Sequence, residues 1–531
     1  MGLFSEFKML SGSLSGMREF LKDKITVEES IEEMQRRLEN REENFLLMLE
    51  RVYSNKKSPY YRIFNTVGYE FKDIKSLVDS SGLEGTLKQL ADEGAYVTIE
   101  EFKGKKEWVR KGKRIKFSES DFDNTFSGGF EMTTGGTRSQ GTRVLVDFKR
   151  MEERCYNSLF ADYVLKLTDH PRVIWSPGLL AQQAALTSFK TGIPVAGCYS
   201  QTVEVPSLNI RNAYPTIKRI LLPRIMMYEA RLLGARVLTP EFVDLNHCTK
   251  IAKQVASIMK EHSRCFLRNF PSSGVRVCNE AEKMGLDIDG VVIGCGGEPI
   301  TPTRRREMEK VGAKVIPGYA ASETGGIAQG CYKHKHCDDM HFWSDSLAVV
   351  QYKRQIKDFG ISVDSFLITS LLEHASKIMI NVELGDHGVL KSESCSCGFS
   401  KHGFREKMYN VRSFEKLTGE GMTLIGSDMV DVLEEDLPAM FGGSSTDYQL
   451  VEAEDEKGFT HMDVLVSPSL GEVDEKKVID AVYDSLRKRS IGRNLSFEMW
   501  KDAGTIRVRR EKPIVTKRGK ILSFQIQKKR R

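Results

Sequence analysis

The sequence lacks any long apolar run. No stretch of 18 consecutive apolar residues occurs, so no membrane span is predicted. The first twenty residues lack the unbroken apolar centre of a secretory signal peptide, and Glu6 stands where a myristoylation signal requires Ser or Thr. These absences predict a cytoplasmic protein. Its ten cysteines would then be thiols or metal ligands and not disulfides.

The sequence also lacks a strong charge imbalance and any internal repeat. Its 79 Lys and Arg residues nearly balance 73 Asp and Glu residues, which leaves a formal net charge of +6 over 531 residues. Such a mild value does not indicate a nucleic-acid partner. Hydrophobic residues at 40% and charged residues at 29% are typical of a globular protein. The length predicts two or three domains, and nothing in the sequence indicates the oligomeric state.

Helical and strand periodicities divide the chain into two parts. Residues 30–55 carry apolar side chains at helical spacing, which predicts a packing helix. Residues 150–290 alternate helices with short apolar strands, the pattern of βαβ units in a mainly parallel sheet. We therefore expect an α/β protein with a large N-terminal domain and a small, mobile α+β C-terminal domain. The predicted bounds are 1–411, including a helical arm and packing helix over 1–70, and 412–531.

Residues 291–331 carry the clearest functional signals. An apolar strand from residue 291 breaks at Gly294 into a glycine-rich turn, where a ligand could approach the backbone. A second short strand is followed by an aromatic ring, a hydroxyl and a carboxylate, on Tyr319, Ser322 and Glu323. Ligands of open α/β sheets bind at such carboxyl ends of strands. On spacing alone, two βα turns of any α/β protein would explain the pattern equally well.

Residues 130–143 combine three glycines, four threonines, one serine and two arginines. Converging backbone N–H groups, hydroxyls and positive charge suit a polyphosphate ligand. The stretch is not the P-loop of nucleotide hydrolases, because GxxxxGK[ST] is absent. A polar surface hairpin is the alternative interpretation.

Gly296-Gly297-Glu298-Pro299, followed by Tyr319-x-x-Ser322-Glu323, resembles the adenylate-forming acyl ligases, in particular their phenylacetate-CoA ligase-like branch. Five signals stand in the order of that family: a Thr/Gly loop, GGEP, YxxSE, Gly-Asp and Gly-Lys. The resemblance implies activation of a carboxylic acid with ATP and magnesium to an acyl adenylate. Transfer of the acyl group to a thiol, coenzyme A or a carrier, would follow.

The resemblance also implies roles for individual residues. Gly297, Glu298 and Tyr319 would border the adenine, Ser322 would adjoin the phosphate, and Glu323 would bind magnesium. The phosphates would be held by Thr133, Thr134, Gly135, Gly136 and Thr137. This loop departs from the usual form because its terminal lysine is missing, so Arg138 or Arg143 would supply the positive charge.

Asp386 and Lys520 complete the implied nucleotide site. Asp386 follows Gly385 after a strand-like run, where its carboxylate could accept both ribose hydroxyls; a lone Gly-Asp is otherwise a common turn. Lys520, presented after a glycine, would stabilise charge in the adenylation transition state, with Lys517 as its substitute. The alternative is a solvated or polyanion-binding basic tail, since residues 507–531 hold eleven Lys or Arg and one acid. The C-terminal domain would rotate about the region of Arg412.

Ten of the twenty Cys and His residues fall between positions 331 and 402. Cys331, His334, His336, Cys337 and His341 crowd one loop, and Cys395 and Cys397 form a second turn. Thiolates and imidazoles from two such turns suit structural zinc, and a coincidental set of surface side chains is the alternative. We predict Cys331, Cys395 and Cys397 as ligands, with His336 or Cys337 as the fourth. This pair of Cys/His segments also resembles one that is often found in the phenylacetate-CoA ligase-like branch.

Two other classes of function stay open. An acyl-adenylate synthetase could load a carrier protein or an amine instead of coenzyme A, and a catalytically inactive protein could bind a nucleotide or a partner. The sequence does not identify the substrate acid. The resemblance implies an aromatic or medium-chain acid. No single charged residue over 150–320 indicates that the substrate is an amino acid or a dicarboxylate.

Overall fold

The computed structural model describes residues 15–124, 129–133, 143–201, 227–245, 247–356, 361–413, 426–454, 460–489, 506–516 and 520–526. Of the predicted phosphate loop, this includes the backbone of Thr133, at the end of a strand. Thr134, Gly135, Gly136, Thr137 and Arg138 lie outside the described residues, as does Lys517. None of the described helices is long and apolar enough to cross a membrane.

Twelve of the described strands form one mixed sheet, in the order β13-β14-β15-β16-β12-β11-β10-β9-β8-β5-β6-β7. The strands are β1 Trp108–Arg110, β2 Lys113–Ile115, β3 Gly129–Thr133, β4 Arg143–Asp147, β5 Arg172–Ser176, β6 Val195–Ser200, β7 Glu241–Phe242, β8 Phe266–Asn269, β9 Val292–Gly296, β10 Lys314–Ala321, β11 Gly325–Gly330, β12 Met340–Phe342, β13 Leu347–Ile356, β14 Ile361–Ser370, β15 Val382–Ser392, β16 Glu406–Ser413, β17 Tyr448–Glu454, β18 Thr460–Val466, β19 Ile506–Arg509 and β20 Phe524–Ile526.

The large sheet has a parallel half and an antiparallel half. Strands β7, β6, β5, β8, β9 and β10 run parallel to their neighbours, and every pair from β10 outward to β13 is antiparallel. The predicted α/β class is confirmed. The sheet expected to be mainly parallel is mixed, because β10 pairs with β9 on one side and forms a hairpin with β11 on the other.

Helices cover the parallel half of the sheet on both faces. The helices with described bounds are α1 Val27–Glu39, α2 Arg41–Ser54, α3 Pro59–Val67, α4 Phe71–Asp92, α5 Ile99–Phe102, α6 Phe148–Val164, α7 Gly178–Lys190, α8 Thr249–His262, α9 Pro271–Lys283, α10 Pro302–Glu309, α11 Gly398–Lys401, α12 Gly426–Asp431, α13 Leu437–Phe441 and α14 Glu475–Arg489. Residues 15–22 and 227–232 are helical as well. Leu267 and Ile293 pack with α8 and α9 on one face. Val292 and Ile316 pack with Phe160 of α6 on the other. Alternate strand residues therefore face different helices.

A second, four-stranded sheet, β19-β18-β17-β20, lies in the C-terminal part of the chain. Buried residues such as Leu450, Val464 and Val482 join it to helices α12, α13 and α14 in a separate core. This unit contains both helices and strands, as expected for the small α+β domain. The predicted boundary between residues 411 and 412 stays a prediction, and β16 continues through Ser413.

Candidate functional site

Two neighbouring strand ends form the centre of the site. In the parallel register of β9 and β10, Gly296 pairs with Gly318, so Gly297 lies beside Tyr319. A Cβ atom at Gly296 would lie 3.0 Å from the Gly318 carbonyl oxygen. Gly297 has φ +82°, and a Cβ there would lie 2.8 Å from the Phe270 ring. Both positions therefore require glycine.

Lys520 reaches this turn from the other end of the chain. Its Nζ donates a hydrogen bond to the Gly297 carbonyl oxygen at 2.6 Å and lies 5.1 Å from the centre of the Phe270 ring. A local turn presents the lysine, because the Lys520 backbone N–H donates to Thr516 Oγ1 at 3.0 Å. The structure thus brings together the Gly-Gly-Glu-Pro and Gly-Lys segments.

The Glu298 side chain does not face a nucleotide. The residue is buried; its carboxylate accepts hydrogen bonds from the Ser272 hydroxyl at 2.9 Å and the Ile521 backbone N–H at 3.1 Å, and its Oε2 lies 3.2 Å from Arg304 Nη1. The expectation that Glu298 borders the adenine is therefore corrected for its side chain, because both carboxylate oxygens bind protein groups. Glu298 instead fixes the residue that follows Lys520.

Further buried contacts join the small domain to helix α10. Arg304 Nη2 lies 3.1 Å from Glu434 Oε1, and Thr301 donates a hydrogen bond to the same carboxylate. The Ser445 hydroxyl donates to Glu307 at 2.6 Å. The Arg304 and Glu434 side chains are 3% and 1% exposed, so this interface keeps charge away from water, and the charges must be paired.

Tyr319 and Asp386 meet although 67 residues separate them. The Tyr319 hydroxyl donates a hydrogen bond to Asp386 Oδ2 at 2.7 Å. Burial raises the pKa of Tyr319 well above its ordinary value, and the negative charges of Asp386 and Glu323 add to this effect. Tyr319 is therefore a neutral donor that orients the Asp386 carboxylate, with Glu323 nearby.

Arg150 binds the backbone of the Ser322-Glu323 turn. This buried arginine on α6 donates from Nη2 to the carbonyl oxygens of Ser322 at 3.4 Å and Glu323 at 3.2 Å. Burial, together with the smaller effect of the neighbouring Arg154 charge, lowers the pKa of Arg150 to about 9. Ser322 is exposed, and within the described part of the chain the Glu323 carboxylate has no partner.

Sequence reasoning missed Arg150. Its signal is its position three residues after Asp147, which caps α6 by accepting a hydrogen bond from the Lys149 N–H at 2.8 Å. The helix that follows the Thr/Gly stretch could thus have been searched for a buried cation.

Arg412 lies on β16, in register with His387 of β15 and beside the pair of Asp386 with Ser413. Its Nη1 lies 2.9 Å from Asp338 Oδ2. Burial lowers the pKa of His387, and the charge of Arg412 lowers it further. Arg412 is therefore adjacent to the predicted ribose aspartate, with Asp338 as its own partner.

Four Cys and His side chains converge after the end of β11, in β12 and in the turn between β15 and β16. The donor atoms of Cys331, His341, Cys395 and Cys397 lie within 4.8 Å of one another. The Cys331 and Cys395 sulfurs are 3.9 Å apart, close to the roughly 3.8 Å expected for two sulfurs bound tetrahedrally to one zinc ion. His341 Nδ1 contacts the Phe404 carbonyl oxygen at 2.8 Å, which leaves Nε2 for a metal. These residues fit a zinc ion.

The predicted fourth ligand is corrected by this geometry. His336 stacks on Tyr409 with ring centres 4.1 Å apart, and the Cys337 thiol donates to the Ile300 carbonyl oxygen at 3.3 Å. Their side chains are thus engaged elsewhere. His341 takes the expected place, with Nε2 at 3.1 Å from the Cys397 sulfur.

No protein-family model matches the chain, and no curated protein matches it. A solved 2-hydroxyisobutyryl-CoA ligase, in complex with 2-HIB-AMP and CoA, is 12% identical at a TM-score of 0.42, over 93% of this chain and 90% of that one. O-succinylbenzoate coenzyme A synthetase from Bacillus subtilis, with ATP and magnesium, is 13% identical at a TM-score of 0.41, over 86% of each chain. With TM-scores below 0.5, these likenesses assign neither family nor activity.

Proposed function

We propose that this protein is an AMP-forming acid–thiol ligase of the phenylacetate-CoA ligase-like kind. A carboxylate oxygen of the acid attacks the α-phosphorus of ATP, the bond to pyrophosphate breaks, and pyrophosphate leaves. The sulfur of a thiol, which is coenzyme A in this proposal, then attacks the acyl carbon, and AMP leaves while the thiol proton goes to solvent.

The position of Lys520 carries the proposal. Its ammonium contacts Gly297, one strand away from Tyr319 and its partner Asp386. A cation held at this strand end would stabilise the negative charge that builds up between the attacking carboxylate and the α-phosphate. A tail lysine without such a role would more commonly remain in solvent.

The neighbouring residues suit ATP and magnesium. The Asp386 carboxylate, oriented by Tyr319, would accept the ribose hydroxyls. The Glu323 carboxylate, which lacks a partner among the residues described, would bind magnesium, whose charge offsets that of the phosphate oxygens. Arg150 would keep Ser322 and Glu323 in place through their carbonyl groups.

The first test is acid-dependent ATP–pyrophosphate exchange over a panel of aryl, aliphatic and amino acids. Lys520→Ala should lower the exchange rate by about 100-fold or more, the size typical for loss of one group that stabilises transition-state charge. Lys512→Ala removes an exposed lysine from the same segment and should change the rate less than twofold.

Absence of exchange with every acid, from folded protein, would contradict the proposal and favour an inactive binding protein. Unchanged exchange in Lys520→Ala would contradict the role of the lysine. If exchange occurs but coenzyme A yields no thioester, a carrier protein or an amine is the acceptor.

The Cys331, His341, Cys395 and Cys397 group holds a zinc ion in this proposal. Four protein donors fill a tetrahedral zinc ion and leave no position for a substrate. The metal is therefore structural. It would join the end of β11 to the turn between β15 and β16.

A further inference from the structure

The loop between two members of the Cys/His group lies along strand β16. We call this loop, residues 332–339, the zinc loop. Cys331 precedes it directly, and His341 follows it in β12, so both of its ends are held by the group that fits a zinc ion. Strand β16 also pairs with β15, which carries Asp386. The zinc loop and the predicted ribose aspartate therefore contact the same strand.

Asp339 joins the zinc loop to β16 beside the Cys/His group. In the antiparallel register of β12 and β16, Lys407 is opposite His341. The Lys407 ammonium lies 2.8 Å from Asp339 Oδ2, and both side chains are 2% exposed. A buried ion pair is costly to break, because the remaining charge is left without a partner. This pair therefore holds the zinc loop against the strand.

The neighbouring Asp338 binds β16 further along the strand. Its Oδ1 accepts a hydrogen bond from the Asn410 backbone N–H at 3.0 Å, and its Oδ2 lies 2.9 Å from Arg412 Nη1. The Asp338 side chain is buried, and the Arg412 charge compensates its own. Both carboxylate oxygens of Asp338 therefore bind the strand.

These contacts fall where the ladder between β15 and β16 is interrupted. The register shifts between His387 and Val389, and Asn410 is not paired in the register of these two described strands. Asn410 also has φ +53°, which a residue other than glycine seldom adopts. A bulge of this kind leaves a backbone group outside the ladder. The Asp338 carboxylate takes the place of the missing partner, so the zinc loop helps to fix β16 at this point.

Strand β16 places these contacts beside Asp386. Ser413, next to Arg412, is opposite Asp386 in the register of β15 and β16. The Ser413 hydroxyl donates a hydrogen bond to the Gly385 carbonyl oxygen at 3.3 Å. Asp386 in turn accepts the hydrogen bond from the Tyr319 hydroxyl at 2.7 Å. A shift of the zinc loop would therefore displace Asp386 relative to Tyr319.

We propose that Asp338 is a positioning residue through which the zinc loop aligns Asp386, so that zinc and nucleotide each strengthen the binding of the other. Zinc fixes both ends of the loop, and the loop holds β16 in the shape that sets Asp386 against Tyr319. By thermodynamic linkage, a nucleotide that needs this alignment raises the affinity for zinc by the same factor as zinc raises the affinity for the nucleotide. This inference rests on the proposed function, including its zinc ion.

The test measures the zinc affinity of the full chain by competition with a chelating dye, with and without saturating AMP. AMP is the nucleotide product of the proposed reaction. Unlike ATP, it has no pyrophosphate group for magnesium to bridge, so the chelator competes for zinc alone. AMP should raise the zinc affinity of the wild type about fivefold or more, the lower end of common coupling between two sites.

Asp338→Asn keeps the size of the side chain and an acceptor for the Asn410 N–H, but removes the charge that faces Arg412. This variant should retain one zinc ion by elemental analysis, and isothermal titration should show AMP binding about fivefold weaker. Saturating AMP should then change its zinc affinity less than twofold. Arg412→Gln removes the same contact from the side of the strand and should also abolish the effect of AMP on zinc affinity.

Lys335→Gln is the matched control, because Lys335 lies on the zinc loop in an exposed ion pair with Glu393. It should respond to AMP as the wild type does. Equal zinc affinity with and without AMP in the wild type, or a retained AMP effect in both Asp338→Asn and Arg412→Gln, would overturn the coupling. Acid-dependent pyrophosphate exchange, measured separately, would then leave the ligase proposal intact. Absence of both exchange and AMP binding would refute the proposed function and the coupling together.

Discussion

Glu153, on α6 three residues after Arg150, is a half-buried residue whose carboxyl group has one buried oxygen, Oε2. Its Oε2 has no hydrogen-bond partner among the described residues. Burial raises the pKa of Glu153 to about 7, and the charge of Arg37 offsets only part of this effect. The folded protein therefore favours the protonated form, and near neutral pH this side chain costs stability.

Glu153→Gln should stabilise the protein at pH 8 and not at pH 5. In the folded state the pKa lies above the ordinary value of 4.5, so the folded state binds more protons, and stability falls as pH rises from about 4.5 to 7. Glutamine stays neutral and avoids this loss. Urea denaturation at the two pH values should show a gain of about 2–3 kcal/mol at pH 8 only. The exposed Glu50→Gln should show no such difference, and an equal gain at both pH values would contradict the explanation.

Strands β10 and β15 carry Tyr319 and Asp386 of the candidate site. The Cys/His group connects the strands that pair with them. Cys331 follows β11, His341 lies in β12, and Cys395 and Cys397 lie between β15 and β16. Strand β15 carries Asp386 near its middle, six residues before Ser392. Zinc at this group would thus fix the spacing between the β10–β11 hairpin and the strand that carries Asp386.

The protein should contain one zinc ion per chain by elemental analysis. Cys397→Ser and His341→Ala should lose the metal and unfold at a lower temperature, because structural zinc contributes directly to folding free energy. His336→Ala is the matched control: its ring stacks on Tyr409, and its zinc content should remain. Loss of zinc in His336→Ala but not in His341→Ala would refute the ligand assignment.

The sequence pattern located the segments that carry the Cys and His side chains, but it did not predict which histidine joins the cysteines. Spacing showed that one loop and one turn carry the donors. The residues between Cys331 and His341 form mostly irregular backbone, in which no periodicity tells which imidazole points inward. In the same way, the apolar strands of the parallel half were recognisable, whereas the antiparallel half depends on the long-range pairing of β10 with β11 and of β12 with β16.

At the scale of the whole molecule, the site consists of segments far apart in the chain. The order of short motifs was sufficient to name Gly297, Tyr319, Asp386 and Lys520, which the structure brings to one strand end. It was not sufficient for Glu298, whose carboxylate binds Ile521 across 223 residues. Nor did it identify Arg150, because its role depends on which turn of the folded chain its helix faces.

The contact between the two parts of the molecule should control adenylation separately from thiol transfer. Thr301 and Ser523 donate hydrogen bonds to different oxygens of the Glu434 carboxylate. Glu434→Gln keeps the shape of the side chain and one acceptor oxygen, but removes the charge paired with buried Arg304. Glu298 remains as a partner of Arg304, so we expect a cost of about 1–3 kcal/mol.

This cost should lower pyrophosphate exchange about tenfold or more, because Lys520 is then held less often at Gly297. Thioester formation from supplied acyl adenylate should stay within twofold, since in the proposed reaction the small domain leaves this contact before the thiol attacks. Glu435→Gln, at the more exposed contact with Arg306, should change either step less than threefold. Parallel loss of both steps in Glu434→Gln would show that the buried charges stabilise the fold and do not select one arrangement of the two parts.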